Sequence, residues 1–136
     1  MSNIEQTLSI IKPDAVERNL TEDIKKIFTK NNLEIKESKK IHINKDEAAE
    51  FYKVHQSKPF YSDLCAYLSS GPIVVMILEG NNAVASNRKI MGATNPKDAE
   101  ENTIRKLYGI SIDKNSVHGS DSIENAKKEI EFFFKN

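Results

Sequence analysis

Ile73-Val74-Val75-Met76-Ile77-Leu78 is the longest apolar run in the chain, and its reading decides the fold. It follows Ser69-Ser70-Gly71-Pro72, where the preceding helical pattern stops. A strand with one wet face alternates apolar with polar residues, so an unbroken run of this kind reads as a strand buried on both faces. The run is far below the roughly 20 residues that a membrane-crossing helix requires. A sheet with this strand at its centre, covered by helices, follows.

The flanking segments supply those helices and the remaining strands. Phe60 to Leu68 repeats apolar residues at helical spacing, and Asn81 to Met91 reads as a helix carrying Arg88 and closed by Gly92. Towards the N-terminus, Gln6 to Lys12 reads as a core strand that Pro13 ends in a polar loop, with Lys12 at the strand's mouth. Thr21 offers an N-cap to a helix with Ile24, Ile27 and Phe28 on one stripe, ending near Asn31-Asn32. Leu33 to Ile43 is a second strand, and Lys45 to His55 a short helix broken off before Pro59. Ala93 to Ser116 is a long connection with one helical turn around Thr103 to Tyr108, a length that usually serves function. A short strand at Ser116 to Gly119 and a helix from Ser122 to Phe134, striped by Ile123, Ala126, Ile130 and Phe133, complete the chain. No repeat, low-complexity tract or linker interrupts the order. One α+β domain over residues 1–136 is expected, a ferredoxin-like βαββαβ sandwich with an antiparallel four-stranded sheet covered by helices.

Seventeen Lys and three Arg balance twenty acidic residues, so there is no net field to hold a nucleic acid or an anionic membrane. Any anion must be bound locally. Arg18, Arg88 and Arg105 are the only bidentate phosphate-type donors. The single Cys65 excludes an internal disulfide and sits in an apolar stretch, as a buried small hydrophobe does. The opening MSNIEQT has no signal-peptide pattern, so a cytoplasmic protein with no membrane span is expected.

The five glycines form neither GxGxxG nor GxxxxGK[ST], so a phosphate site would be built from side chains. His42, His55 and His118 lack metal-ligand spacing, and no protein-bound structural metal is expected. Asn115-Ser116-Val117-His118-Gly119-Ser120-Asp121-Ser122 is different, because it sets a histidine between a strand and a helix start, beside glycine and hydroxyls. Taken alone, such a His is more often a satisfied structural residue.

Seven blocks change that balance: Ile11-Lys12-Pro13-Asp14, Lys58-Pro59-Phe60, Ser70-Gly71-Pro72, Leu78-Glu79-Gly80, Gly92-Ala93-Thr94-Asn95-Pro96, Thr103-Ile104-Arg105 and Asn115 to Ser122. Co-linear along nearly the whole chain, they resemble the nucleoside diphosphate kinases, in particular their compact bacterial members. The resemblance implies transfer of the γ-phosphoryl group of a nucleoside triphosphate, typically ATP, to a nucleoside diphosphate. The route it implies is ping-pong through a phosphohistidine at His118, with broad base specificity, serving the (d)NTP pools. It implies that Glu129 and Ser120 orient the His118 ring. Arg88, Arg105 and Thr94 resemble a phosphate clamp, with Lys12, His55 and Tyr52 near the phosphate. Phe60 and Leu64 resemble the pair that sandwiches the base, and Asn115 with Lys12 the pair that bonds the sugar hydroxyls. It further implies Mg²⁺ carried on the nucleotide phosphates, and a homo-oligomer, a hexamer with a tetramer as alternative.

Each residue has a blander reading: Glu129 as an exposed helix charge, Lys12, Arg88 and Arg105 as surface cations, Phe60 as core. Two departures from the family pattern stand out, Glu101-Asn102 before Thr103-Ile104-Arg105 and Leu20-Thr21-Glu22-Asp23 where a glycine is usual. The first bears on the placing of Arg105. Two competitors are a catalytically silent nucleotide-binding relative, and a nucleic-acid module, which would need aromatics on the central strand. Ile73 to Leu78 has none.

Overall fold

The computed structural model describes residues 4–53, 56–111 and 114–134. Four strands, β1 (Ile4–Ile11), β2 (Glu34–Ile41), β3 (Ile73–Asn81) and β4 (Val117–Gly119), form one sheet ordered β2-β3-β1-β4. Every neighbouring pair is antiparallel. β1 and β2 therefore run parallel to one another with β3 inserted between them, which is the ferredoxin-like order expected.

The register of β1 against β3 sets Leu8 opposite Ile77 and Ile10 opposite Val75. Because side chains alternate across a strand, Ile73 and Val75 join Leu8 and Ile10 on one face, while Val74, Met76 and Leu78 join Ile11 on the other. The first face packs against α3 (Lys45–Phe51), α4 (Tyr61–Leu68) and α7 (Ile123–Phe134), through Ala48, Tyr52, Cys65, Leu68 and Phe133. The second packs against α1 (Pro13–Glu17), α2 (Thr21–Lys30), α5 (Ala83–Met91) and α6 (Ile104–Tyr108), through Ala15, Ile24, Phe28, Ala83, Met91 and Ile104. Ile73 to Leu78 is thus buried on both sides, and Cys65 is a buried thiol. No helix among the described residues is long and apolar enough to cross a membrane.

Local chemistry sets several helix starts. Asn44 and Glu47 form a reciprocal capping box on α3, at 2.8 and 3.0 Å. Ser122 Oγ accepts from Asn125 N–H at the head of α7, and Thr103 Oγ1 accepts from Lys106 N–H at the head of α6. Other boundaries differ from the sequence expectation. Pro13 opens the short helix α1 in place of a loop, its fixed φ suiting a first helical turn. Thr21 lies inside the first turn of α2 and does not cap it. The tight turn through Asn19, at φ 61°, already brings Leu20 in with helical geometry, so no side-chain cap is made. α3 ends at Phe51 because Tyr52 leaves the helix to bury its ring, and His55 lies outside the described residues. α5 begins at Ala83, after Asn82 turns the chain through a positive φ of 49°. β3 runs on to Asn81, where its register with Ile4 keeps the ladder closed.

Gly92 ends α5 at φ +87°, and a Cβ there would lie 2.5 Å from Thr103 Oγ1 and 2.7 Å from Thr103 Cβ. Gly92→Ala is expected to destabilise the fold by about 2–3 kcal/mol, the sum of left-handed strain and overpacking against the α6 cap. Urea unfolding checks this; an unchanged midpoint would contradict the packing described.

Candidate active site

β4 is only three residues long, and its pairing with β1 places His118 opposite Ile10 and Gly119 opposite Ser9. Val117 points into the core beneath α5 and α6, so alternation sends His118 to the opposite face, towards α3 and α7. Gly119 makes this approach possible. A Cβ there would strike the Asn87 amide and sit 2.7 Å from Met91 Cε, both on α5. The bare backbone lets α5 lie against β4 and brings Arg88 to the cavity that His118 faces.

His118 Nε2 lies 3.0 Å from Glu129 Oε1, one turn and a half along α7. Ser120 Oγ donates to the same carboxylate oxygen at 2.8 Å, and its own backbone N–H is held by Leu8 O at 3.2 Å. Ser120 thus braces Glu129, and acts on the imidazole only through it. The Phe51 ring stands edge-on to His118, with centroids 5.3 Å apart and planes at 77°. A carboxylate accepting from Nε2–H leaves Nδ1 as the unprotonated nitrogen.

His118 lines a cavity of ≈ 740 Å³, within the range of about 300–1,000 Å³ usual for small-molecule sites. Lys12, Arg88, Thr94, Arg105 and Asn115 line it as well. Lys12 sits at the junction of β1 and α1, largely buried, with Nζ donating to Asn115 Oδ1 at 2.9 Å. Asn115 in turn donates to the Thr94 carbonyl at 3.0 Å, so the three are one chain of contacts. Arg105, on α6, is 8% exposed, and two of its donors go to the carbonyls of Gly92 (3.0 Å) and Val117 (2.9 Å). Its Nε has no hydrogen-bond partner among the described residues. Burial, and then the charge of Arg88, pull its pKa down to about 10, so it is cationic at neutral pH while poorly solvated. An anion entering beside it meets a charge that water has not screened. At the Glu101-Asn102 departure, Asn102 takes the turn at φ 67°, in the left-handed region that asparagine tolerates, and Arg105 lines the cavity.

Tyr52 and Leu64 also line the cavity, as does Phe60, which is 44% exposed with Lys58 Nζ 5.7 Å from its ring centre. Burial pushes the Tyr52 phenol well above its usual range, keeping it protonated. His55 lies outside the described residues. The other site residues that the resemblance implies lie at this cavity, Ser120 behind it through Glu129, whereas Arg18, the third arginine, pairs with Asp14 away from it. Phe51, Asp121, Asn125 and Phe132 line it too and were not foreseen. Asp121 is held ionised below the usual carboxylate range, chiefly by a hydrogen bond from Asn125.

Oriented imidazole and clustered cations on an antiparallel α+β sandwich are the parts of a phosphotransferase. The family model for nucleoside diphosphate kinase matches residues 5–136. A nucleoside diphosphate kinase of Nitratiruptor is 57% identical over 131 residues, covering 96% of each chain. One from Campylobacter fetus is 55% identical with the same coverage. Among solved structures, the Aquifex aeolicus nucleoside diphosphate kinase superposes with a TM-score of 0.96 at 39% identity, covering 98% of this chain and 96% of its own. That of Encephalitozoon cuniculi gives 0.93 at 38%, covering 97% and 90%. The chain belongs to the nucleoside diphosphate kinase family, and it is a phosphotransferase.

Gly119→Ala is expected to push α5 away from β4, costing about 1–3 kcal/mol of stability and raising KM for nucleotide as Arg88 withdraws. Thermal unfolding with steady-state kinetics checks it. A stable variant of unchanged KM would show that close approach is not what glycine serves.

Proposed function

We propose that the chain, as one domain over residues 1–136, works by ping-pong exchange with His118 as the phosphate acceptor. The observation that carries this is the His118–Glu129 pair at 3.0 Å, set in a cavity walled by Lys12, Arg88 and Arg105. Nδ1 attacks the γ-phosphorus of a nucleoside triphosphate, typically ATP, while the bond to the β–γ bridging oxygen breaks. The diphosphate leaves with that oxygen and its electron pair. The imidazole gains positive charge as the new bond forms, and Glu129, steadied by Ser120, stabilises it. A second diphosphate takes the same place and its terminal oxygen reverses the step, returning His118 to its starting form.

Such a transition state spreads charge over the equatorial oxygens, so positioned cations do most of the work. Arg105, desolvated and pinned by two carbonyls, is preorganised for this, and Arg88 and the Thr94 hydroxyl complete the clamp. Lys12 reaches both the transferred group and, with Asn115, the sugar hydroxyls. Tyr52, on the cavity wall, is assigned to the phosphates, a role that the family resemblance also implies for His55. Phe60 and Leu64 hold the base by its faces, which every base shares, and this supports broad specificity serving the (d)NTP pools. Among the described residues no group of three or more His, Cys, Asp or Glu gathers as a metal cage, while the cavity gathers cations for phosphate oxygens. That donor set fits Mg²⁺ arriving on the nucleotide, held by phosphate oxygens and water. The ion would supply further charge neutralisation on the phosphates.

We place the enzyme in the cytoplasm as a homo-oligomer, a hexamer with the tetramer as alternative. The open edge of β2 and the exposed Leu107 and Ile110 support self-association.

Incubation with γ-labelled ATP and Mg²⁺, a basic quench and a chase with GDP test the proposal. Label is expected on wild type, released as GTP, and absent from His118→Ala; wild type that binds nucleotide yet takes no label would overturn it. Phe60→Ala is expected to raise KM about 10-fold for purine and pyrimidine diphosphates alike, given 1–3 kcal/mol per stacked base. A penalty confined to one base would contradict the stacking role.

A further inference from the structure

Five non-glycine residues among those described have positive φ, and four of them, Asn19, Asn32, Asn82 and Asn102, are exposed asparagines at turns. Asparagine tolerates that region. The fifth is Ser116, fully buried, at φ 76°, two residues before His118. Val117 N–H donates to Asn115 O at 2.9 Å across it, which makes residues 115–117 a γ-turn of the positive-φ kind, rare and strained. Such an outlier persists only where the surroundings over-determine it.

The surroundings here are a polar knot around the buried Asp14 carboxylate. Ser116 O accepts from Lys12 N–H at 2.8 Å, and Ser116 Oγ donates to Asp14 Oδ2 at 3.1 Å. Arg18 Nη2 donates to the same Asp14 oxygen at 3.1 Å and to the Tyr108 carbonyl at 2.6 Å. Tyr67 donates its hydroxyl to Asp14 Oδ1 and accepts from Asp14 N–H at 3.0 Å. Burial, then the bond to Asp14, push the Tyr67 phenol far above its usual range, so it stays a donor. One carboxylate thereby ties α1, α4 and the strand leading to His118 together.

The turn has a geometric effect. In an extended strand Asn115 would share a face with Val117 and point into the core. The γ-turn swings it out to Lys12 Nζ and the Thr94 carbonyl, while His118 keeps its place opposite Ile10. We infer that Ser116 and Asp14 are positioning residues that hold a strained turn so that the Lys12–Asn115 grip and the His118 ring meet one nucleotide. This rests on the reading of His118 as acceptor. Neither residue touches the reacting atoms. Each acts through Asn115, Lys12 and His118.

Ser116→Gly separates positioning from stability, because glycine relieves the strain while removing the hydroxyl that Asp14 holds. The melting temperature is expected to stay or rise, while the single-turnover rate of His118 phosphorylation falls about 10-fold, the scale of a sub-ångström misplacement. Asp14→Asn, which keeps the size and weakens the knot, is expected to lower the same rate. The His118 ring ¹⁵N–¹H signals read position without turnover and are expected to move in both variants. Unchanged rates and ring signals in Ser116→Gly would overturn the inference, as would a rate loss that vanishes on cooling to where every variant is fully folded. A wild type that takes no label counts against the acceptor reading instead, and the ring signals then decide this one.

Discussion

Three residues of β4 hang from β1, and the site depends on that pairing. Ile10 opposite His118 sets which face the imidazole takes, and Ile11 opposite Val117 pins the strand into the lower core. β1 is itself locked along its length against β3. The most buried strands of the sheet therefore carry the His118 ring on their margin, where a short strand leaves room for a cavity. Gly119 is part of the same constraint, since only its bare backbone lets α5 close on β4.

A chain of zero net charge has no long-range field to gather nucleotides, so the anion site must be made by burial. Lys12 and Arg105 are both largely buried, and the depressed pKa of Arg105 measures how little water shares its charge. Backbone carbonyls of Gly92 and Val117 fix its plane without neutralising it. Under the proposed function, a phosphate entering here meets cations already stripped of solvent, and less reorganisation remains for the moment of transfer.

Much of this was legible in the sequence. The unbroken run Ile73 to Leu78 announced a strand covered on both faces, and the helical stripes around it supplied the two layers. Ordered blocks around His118, Lys12 and Arg105 led to a single cavity. Part of the remainder rests on contact between residues distant in the chain. Asp14 and Tyr67 lie 53 positions apart, and Asp14 and Ser116 lie 102 apart. The resemblance implies that Ser120 helps to orient His118, and only the fold shows that its hydroxyl meets the ring's partner, Glu129 on α7. Phe51 sits on the apolar face of α3, where helical spacing cannot distinguish a core phenylalanine from one that stands against the imidazole. Pro13 reads as the end of a strand, and only the fold shows it as the first residue of a helix as well.

Nitrogen-15 and phosphorus-31 NMR of the protein labelled at histidine tests the central claim most directly. The neutral form of the free His118 ring is predicted to hold its proton on Nε2, bonded to Glu129, and ATP with Mg²⁺ to couple phosphorus to Nδ1. A proton resident on Nδ1, or phosphorus coupled to Nε2, would contradict it.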